Sequence, residues 1–113
     1  MLAIIDYGAG NTYNVEKAFA YLGAQATLTA DPAKILASDG LILPGVGAFD
    51  AAMTNLKQRG LVEPIKEAVK KGTPFLGICL GMQMLFDYST EYGQTAGLGF
   101  IPGQVVELPK QPG

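Results

Sequence analysis

Thr73-Pro74-Phe75-Leu76-Gly77-Ile78-Cys79-Leu80-Gly81-Met82-Gln83-Met84-Leu85-Phe86 is the stretch on which the fold turns. Residues 75–78 form a short apolar run after a proline, the pattern of a strand buried on both faces, and residues 82–86 read as helix. Between them, Gly77-Ile78-Cys79-Leu80-Gly81 has the form G-x-nucleophile-x-G, a sharp strand-to-helix turn. A lone cysteine is more often a small buried hydrophobe than a reactive group. Here glycine two residues away on each side removes Cβ atoms that would collide around a strained residue. Cys79 is therefore expected to stand exposed at the edge of a sheet.

Working outward, further apolar, β-branched runs bounded by Gly, Pro, Asp or Asn predict strands at residues 2–5, 26–28, 41–43 and 105–108. Val15, Ala18, Phe19 and Leu22 recur at helical spacing, with Asn11 placed to cap the start and Gly23 the end. Residues 48–57 and 61–71 predict two more helices, the latter with Pro64 in an early turn and Gly72 after its end. The β-α-β order predicts an α/β fold: a doubly wound, mostly parallel sheet with helices on both faces, within one domain over residues 1–113. Ligands of such sheets bind beyond the carboxyl ends of the strands. Three unusual loops follow predicted strands, at residues 6–10, 44–47 and 79–81, and should converge on one edge. The tail from Pro109 onward reads as a loop.

Composition narrows the function. With 49% hydrophobic and 16% charged residues the chain has a core to bury. Its longest mostly apolar stretch, residues 75–86, contains glycine, cysteine and glutamine and falls short of the roughly 18 residues a membrane-spanning helix needs. The first residues carry no basic region, so a cytoplasmic location is expected. One cysteine and no histidine leave no internal disulfide and no Cys/His metal site, and no cofactor is expected. A net charge of −2 and an isolated Lys70-Lys71 pair give no basic stripe for nucleic acid. Asp6-Tyr7-Gly8-Ala9-Gly10-Asn11 is not a dinucleotide fingerprint, because Tyr13 stands where its third glycine belongs.

The chemistry expected of Cys79 is nucleophilic acyl transfer. A helix start favours the thiolate by about 0.3–1 kcal/mol, ~2 at best, which is too little to replace a base. That base is normally a histidine oriented by a carboxylate, so the catalytic set here is incomplete. Pro44-Gly45-Val46-Gly47 is either a tight turn or one side of an oxyanion hole, with the Leu80 amide as the second donor.

Together, Ile5-Asp6-Tyr7-Gly8-Ala9-Gly10-Asn11, Leu43-Pro44-Gly45-Val46-Gly47-Ala48-Phe49, the stretch from Gly77 to Phe86 and Gly97-Leu98-Gly99-Phe100-Ile101-Pro102-Gly103 resemble the class I (triad) glutamine amidotransferases. Within them, the P-G-V-G loop is similar to that of the glutaminase subunits of imidazole glycerol phosphate synthases. The resemblance covers essentially all 113 residues. It implies that Cys79 attacks the side-chain amide of glutamine, that the Val46 and Leu80 amides hold the oxyanion, and that Gly47, Gln83 and Glu91 line the glutamine pocket. For Gln83 a capping or exposed role, and for Glu91 a solvated surface role, are the alternatives. It further implies that the ammonia passes to a cyclase subunit, a (β/α)8 barrel, in histidine biosynthesis, and that Asn11 and Asn14 face this partner, although capping also explains Asn11. The family's histidine and glutamate lie in a later segment, so residues 1–113 are expected to be the N-terminal part of the domain. Two other readings remain: another amidotransferase of this class, such as the glutaminase of pyridoxal phosphate synthesis, and a non-catalytic α/β binding module. Cys79 should label with thiol reagents under native conditions, faster than an ordinary free cysteine; a requirement for denaturant would remove the elbow reading.

Overall fold

The computed structural model describes residues 1–8, 12–45, 47–90 and 94–106. Four parallel strands, β1 (Leu2–Ile5), β2 (Ala26–Thr29), β3 (Gly40–Leu43) and β4 (Phe75–Gly77), form a sheet of order β2-β1-β3-β4. The first four predicted strands are all present. Order reverses between β1 and β3, which puts the crevice of the sheet beside the loops that follow them.

Side-chain alternation divides the sheet. Ala3, Ile5, Leu41 and Leu43 are buried on one face, against α2 (Pro32–Ala37), α3 (Phe49–Gln58) and α4 (Val62–Lys70). Phe49, Met53 and Leu56 from α3, with Leu61 and Ile65 around α4, complete this core and are almost wholly buried. Pro64 sits in the first turn of α4, where its missing N–H costs nothing, and Gly72 follows in positive φ. Helix α2 has no counterpart among the predicted helices. Its signal is Asp31-Pro32: the Asp31 carboxylate accepts from the Ala33 amide at 3.0 Å and proline occupies the first turn.

Helix α1 (Thr12–Tyr21) meets the opposite face, where Phe19 lines a groove of about 220 Å³ with Leu2, Ile42, Phe75 and Leu76. Its end is as expected, with Gly23 at φ +79° and the Ala24 amide bonded to the Phe19 carbonyl. The expected apolar stripe is not buried as a whole. Val15 and Phe19 are partly covered, but Ala18 is exposed and Leu22 is 76% exposed, because Leu22 lies beyond the last helical turn. The face over β4 is thinly covered, and Leu76 is half exposed. Asn11, the expected cap, lies outside the described residues.

Two expectations near the C-terminus need correction. The helix placed at residues 82–86 is the single turn α5 (Leu80–Gln83), after which the chain enters β5 (Phe86–Ser89). The Met84 and Leu85 carbonyls are captured by the amides of Leu98, Phe100 and Ile101 at 2.7–2.9 Å, which ends the helix. The strand placed at 105–108 is β7 (Ile101–Val105), and it joins a separate sheet of order β6-β5-β7 with β6 (Thr95–Ala96), pairing parallel to β5 and not to the main sheet. Residues 107 and 108 and the tail from Pro109 lie outside the described residues. Among the described residues no helix is long and apolar enough to cross a membrane.

Leu56, on the buried side of α3, is fully buried in the core, so Leu56→Ala should cost about 2–5 kcal/mol in urea-unfolding free energy. A loss below about 1 kcal/mol would mean that this core is not close-packed.

Candidate active site at the Cys79 elbow

Cys79 has φ +55° and ψ −119°, and among the described residues it alone combines a side chain with positive φ. Such a residue costs about 1–3 kcal/mol and persists only where its surroundings over-determine it. The surroundings here are backbone. A Cβ on Gly77 would lie 2.7 Å from the Met82 Cα and 2.8 Å from the Gly81 carbonyl oxygen. One on Gly81 would lie 1.8 Å from the carbonyl oxygen of Leu43, at the end of β3. The Leu43 carbonyl also accepts from the Ile78 amide at 3.0 Å, tying the entry of the turn to the same strand. The G-x-C-x-G spacing thus removes the two side chains that would hold the elbow away from β3.

Beside the elbow lies a groove of about 330 Å³ lined by Gly45, Gly47, Cys79, Leu80, Met82 and Gln83. Cys79 is exposed to it. Gly47 has φ +97° with no heavy atom near its missing Cβ, and Gln83 is partly buried on the wall. The loops after β1, β3 and β4 share one edge, as expected: Tyr7 touches Pro44, and Gly45 packs on Leu80 and Gly81. The site is small but of the size that takes a small ligand. Asn14 is exposed on α1 and does not line this groove. Val46, Glu91 and Asn11 lie outside the described residues.

The backbone amides at the elbow already have partners in this structure. The Leu80 amide, expected as an oxyanion donor, donates to the Gly45 carbonyl at 3.2 Å, because the loop after β3 packs directly on the elbow. The remaining first-turn amides of α5 are also engaged: Gly81 donates to the Ile78 carbonyl, and Met82 and Gln83 to that of Cys79. This four-residue turn therefore has every one of its amides hydrogen-bonded to a carbonyl.

Tyr7, part of the first loop, has no role predicted from the sequence. Its side chain is 2% exposed beneath the groove. The hydroxyl donates to the Pro44 carbonyl at 2.5 Å and lies 3.8 Å from the Met84 sulfur. Burial pushes the phenol up to about 12, so the donor keeps its proton throughout the physiological range. A tyrosine directly after a buried strand and before a glycine was the available signal, but a buried phenol is ordinarily read as core.

The family model described as glutamine amidotransferase class-I matches residues 3–112. The imidazole glycerol phosphate synthase subunit HisH of Lacticaseibacillus casei (strain BL23) is 59% identical over 113 residues, all of this chain and 54% of the relative. The protein of the same name from Streptococcus mutans serotype c is 58% identical over 113 residues, again all of this chain and 56% of the relative. The chain therefore spans about half the length of these curated relatives. A crystal structure of a glutamine amidotransferase aligns with a TM-score of 0.77 at 20% identity, covering 92% of this chain and 55% of that one, and shows the shared fold.

The geometry separates two glycines that look alike in the sequence. Gly81→Ala forces backbone against backbone and should cost more than about 4 kcal/mol or prevent folding, whereas Gly47→Ala meets only φ strain and should cost about 1–3 kcal/mol. Equal unfolding midpoints for the two variants would contradict the contact between elbow and strand.

Proposed function

The chain belongs to the class I glutamine amidotransferases, and on that premise we propose that it is the N-terminal part of the glutaminase subunit of an imidazole glycerol phosphate synthase, a cytoplasmic enzyme of histidine biosynthesis. The observation that carries the reading is Cys79, the strained, exposed residue on a groove bounded by the Gly45–Gly47 loop and α5. The P-G-V-G loop, and relatives named as HisH subunits at 58–59% identity, support the choice of subunit.

In this reading the Cys79 thiolate attacks the side-chain amide carbon of glutamine. The tetrahedral intermediate collapses with loss of ammonia and leaves a γ-glutamyl thioester. Water then adds to the thioester and releases glutamate and the thiol, for a net conversion of glutamine and water into glutamate and ammonia. Gly47, Gln83 and Glu91 line the pocket of the substrate, and Val46 and Leu80 supply the oxyanion amides. An oxyanion at the Leu80 amide requires the Gly45 carbonyl, now 3.2 Å away, to turn aside; each donor so freed is worth roughly 3–4 kcal/mol at the transition state. The general base is a histidine paired with a glutamate in the half of the subunit that these 113 residues do not span, since the chain contains no histidine. Ammonia is passed to a cyclase partner of (β/α)8 form, which Asn11 and Asn14 face.

In the full-length subunit with its cyclase partner, Cys79→Ser should abolish ammonia release from glutamine and labelling by a glutamine-mimicking electrophile. The 113-residue chain alone should release no sustained ammonia, because thioester hydrolysis needs a base it lacks. Undiminished hydrolysis in Cys79→Ser would end the assignment of the nucleophile, and sustained turnover by the 113-residue chain would end the role of the histidine.

A further inference from the structure

We infer that Tyr7 is a positioning residue for the Cys79 site: its hydroxyl fixes the Pro44 carbonyl and so holds Gly45 against the elbow. The inference deepens, and rests on, the glutaminase reading of that site.

Three contacts converge on one oxygen. The Tyr7 hydroxyl donates to Pro44, lies beside the Met84 sulfur at the end of α5, and stands where a Cβ on Gly45 would come within 2.6 Å. It thereby joins the loop after β1, the loop after β3 and the elbow helix. The next carbonyl along, that of Gly45, is the acceptor of the Leu80 amide. Anything that lets Pro44 move therefore moves the partner of Leu80 as well. A phenylalanine would fill the same space, yet the site carries a hydroxyl, and burying one without a partner is unfavourable, so the bond to Pro44 is a specific requirement of the loop. The raised phenol keeps the donor protonated over the whole working range. If Tyr7 served only to fill the core, its hydroxyl could be removed with no consequence for the loop above it.

The test is Tyr7→Phe in the full-length subunit with its partner. The first arm reads amide hydrogen exchange at Leu80 against the reference amides of Ala24 and Leu41, which are bonded to Phe19 and Pro74 and belong to none of the three loops at the site. Exchange at Leu80 should rise about tenfold with the reference amides unchanged, the factor carried by one hydrogen bond. The second arm reads glutamine hydrolysis, where kcat should rise severalfold because the Gly45 carbonyl turns aside from the Leu80 amide more readily, while KM stays within about twofold, since no substrate contact is removed. Unchanged exchange at Leu80, or a kcat that stays the same or falls, would reduce Tyr7 to a core residue. A parent enzyme that releases no ammonia from glutamine would remove the glutaminase reading, and the exchange arm would still decide whether Tyr7 holds the loop.

Discussion

Everything at the site depends on one close approach: the turn after β4 lies against the end of β3 with no side chain between them. A Cβ at Gly81 would overlap the Leu43 carbonyl oxygen, and a Cβ at Gly77 would overlap the turn itself. The contact fixes where Cys79 can be and forces its backbone into positive φ. The strain is local and is supported by the core below, where Leu43, Leu80 and Met84 are buried together with Phe49 and Met53. Strain of this kind needs a rigid base, and the parallel sheet provides it.

The same approach brings the loop after β3 over the elbow, and the polar groups there satisfy one another. The Gly45 carbonyl takes the Leu80 amide, and the Pro44 carbonyl takes the Tyr7 hydroxyl. Buried polar groups are expensive when unpaired, and here the elbow and the loop after β3 close on each other's backbone. Under the proposed function this closure has a kinetic meaning. The amide best placed for an oxyanion is already occupied, and the groove must exchange an internal carbonyl for the substrate's oxygen before it can stabilise charge.

Sequence and structure agree most closely where local rules are strong. The runs of β1 and β3, the helices α3 and α4 with Pro64 and Gly72 at their ends, and Gly23 after α1 all follow from periodicity and caps. Agreement fails where backbone partners arrive from far along the chain. Helix α5 stops at Gln83 because Leu98, Phe100 and Ile101 capture the carbonyls of Met84 and Leu85. Local spacing cannot report a competitor more than ten residues away. Likewise β7 pairs with β5, and its membership of a second sheet is a matter of register across the fold. Helix α2 was legible in Asp31-Pro32, but six residues with the single apolar pair Ile35-Leu36 give too little periodicity to see.

The sequence by itself determined the fold class, the elbow and the expectation that three loops share an edge, because glycine spacing and apolar runs are constraints a chain carries within a few residues. It also placed Gly47, Cys79 and Gln83 within reach of one groove. Only the tertiary structure decided which amides are free, since a hydrogen bond such as Leu80 to Gly45 joins residues 35 positions apart and leaves no trace in local pattern. It alone revealed that Tyr7, 37 residues before Pro44, reaches its carbonyl. Spacing along a chain specifies which backbone conformations are possible; the partners those groups find depend on which strands the fold sets side by side.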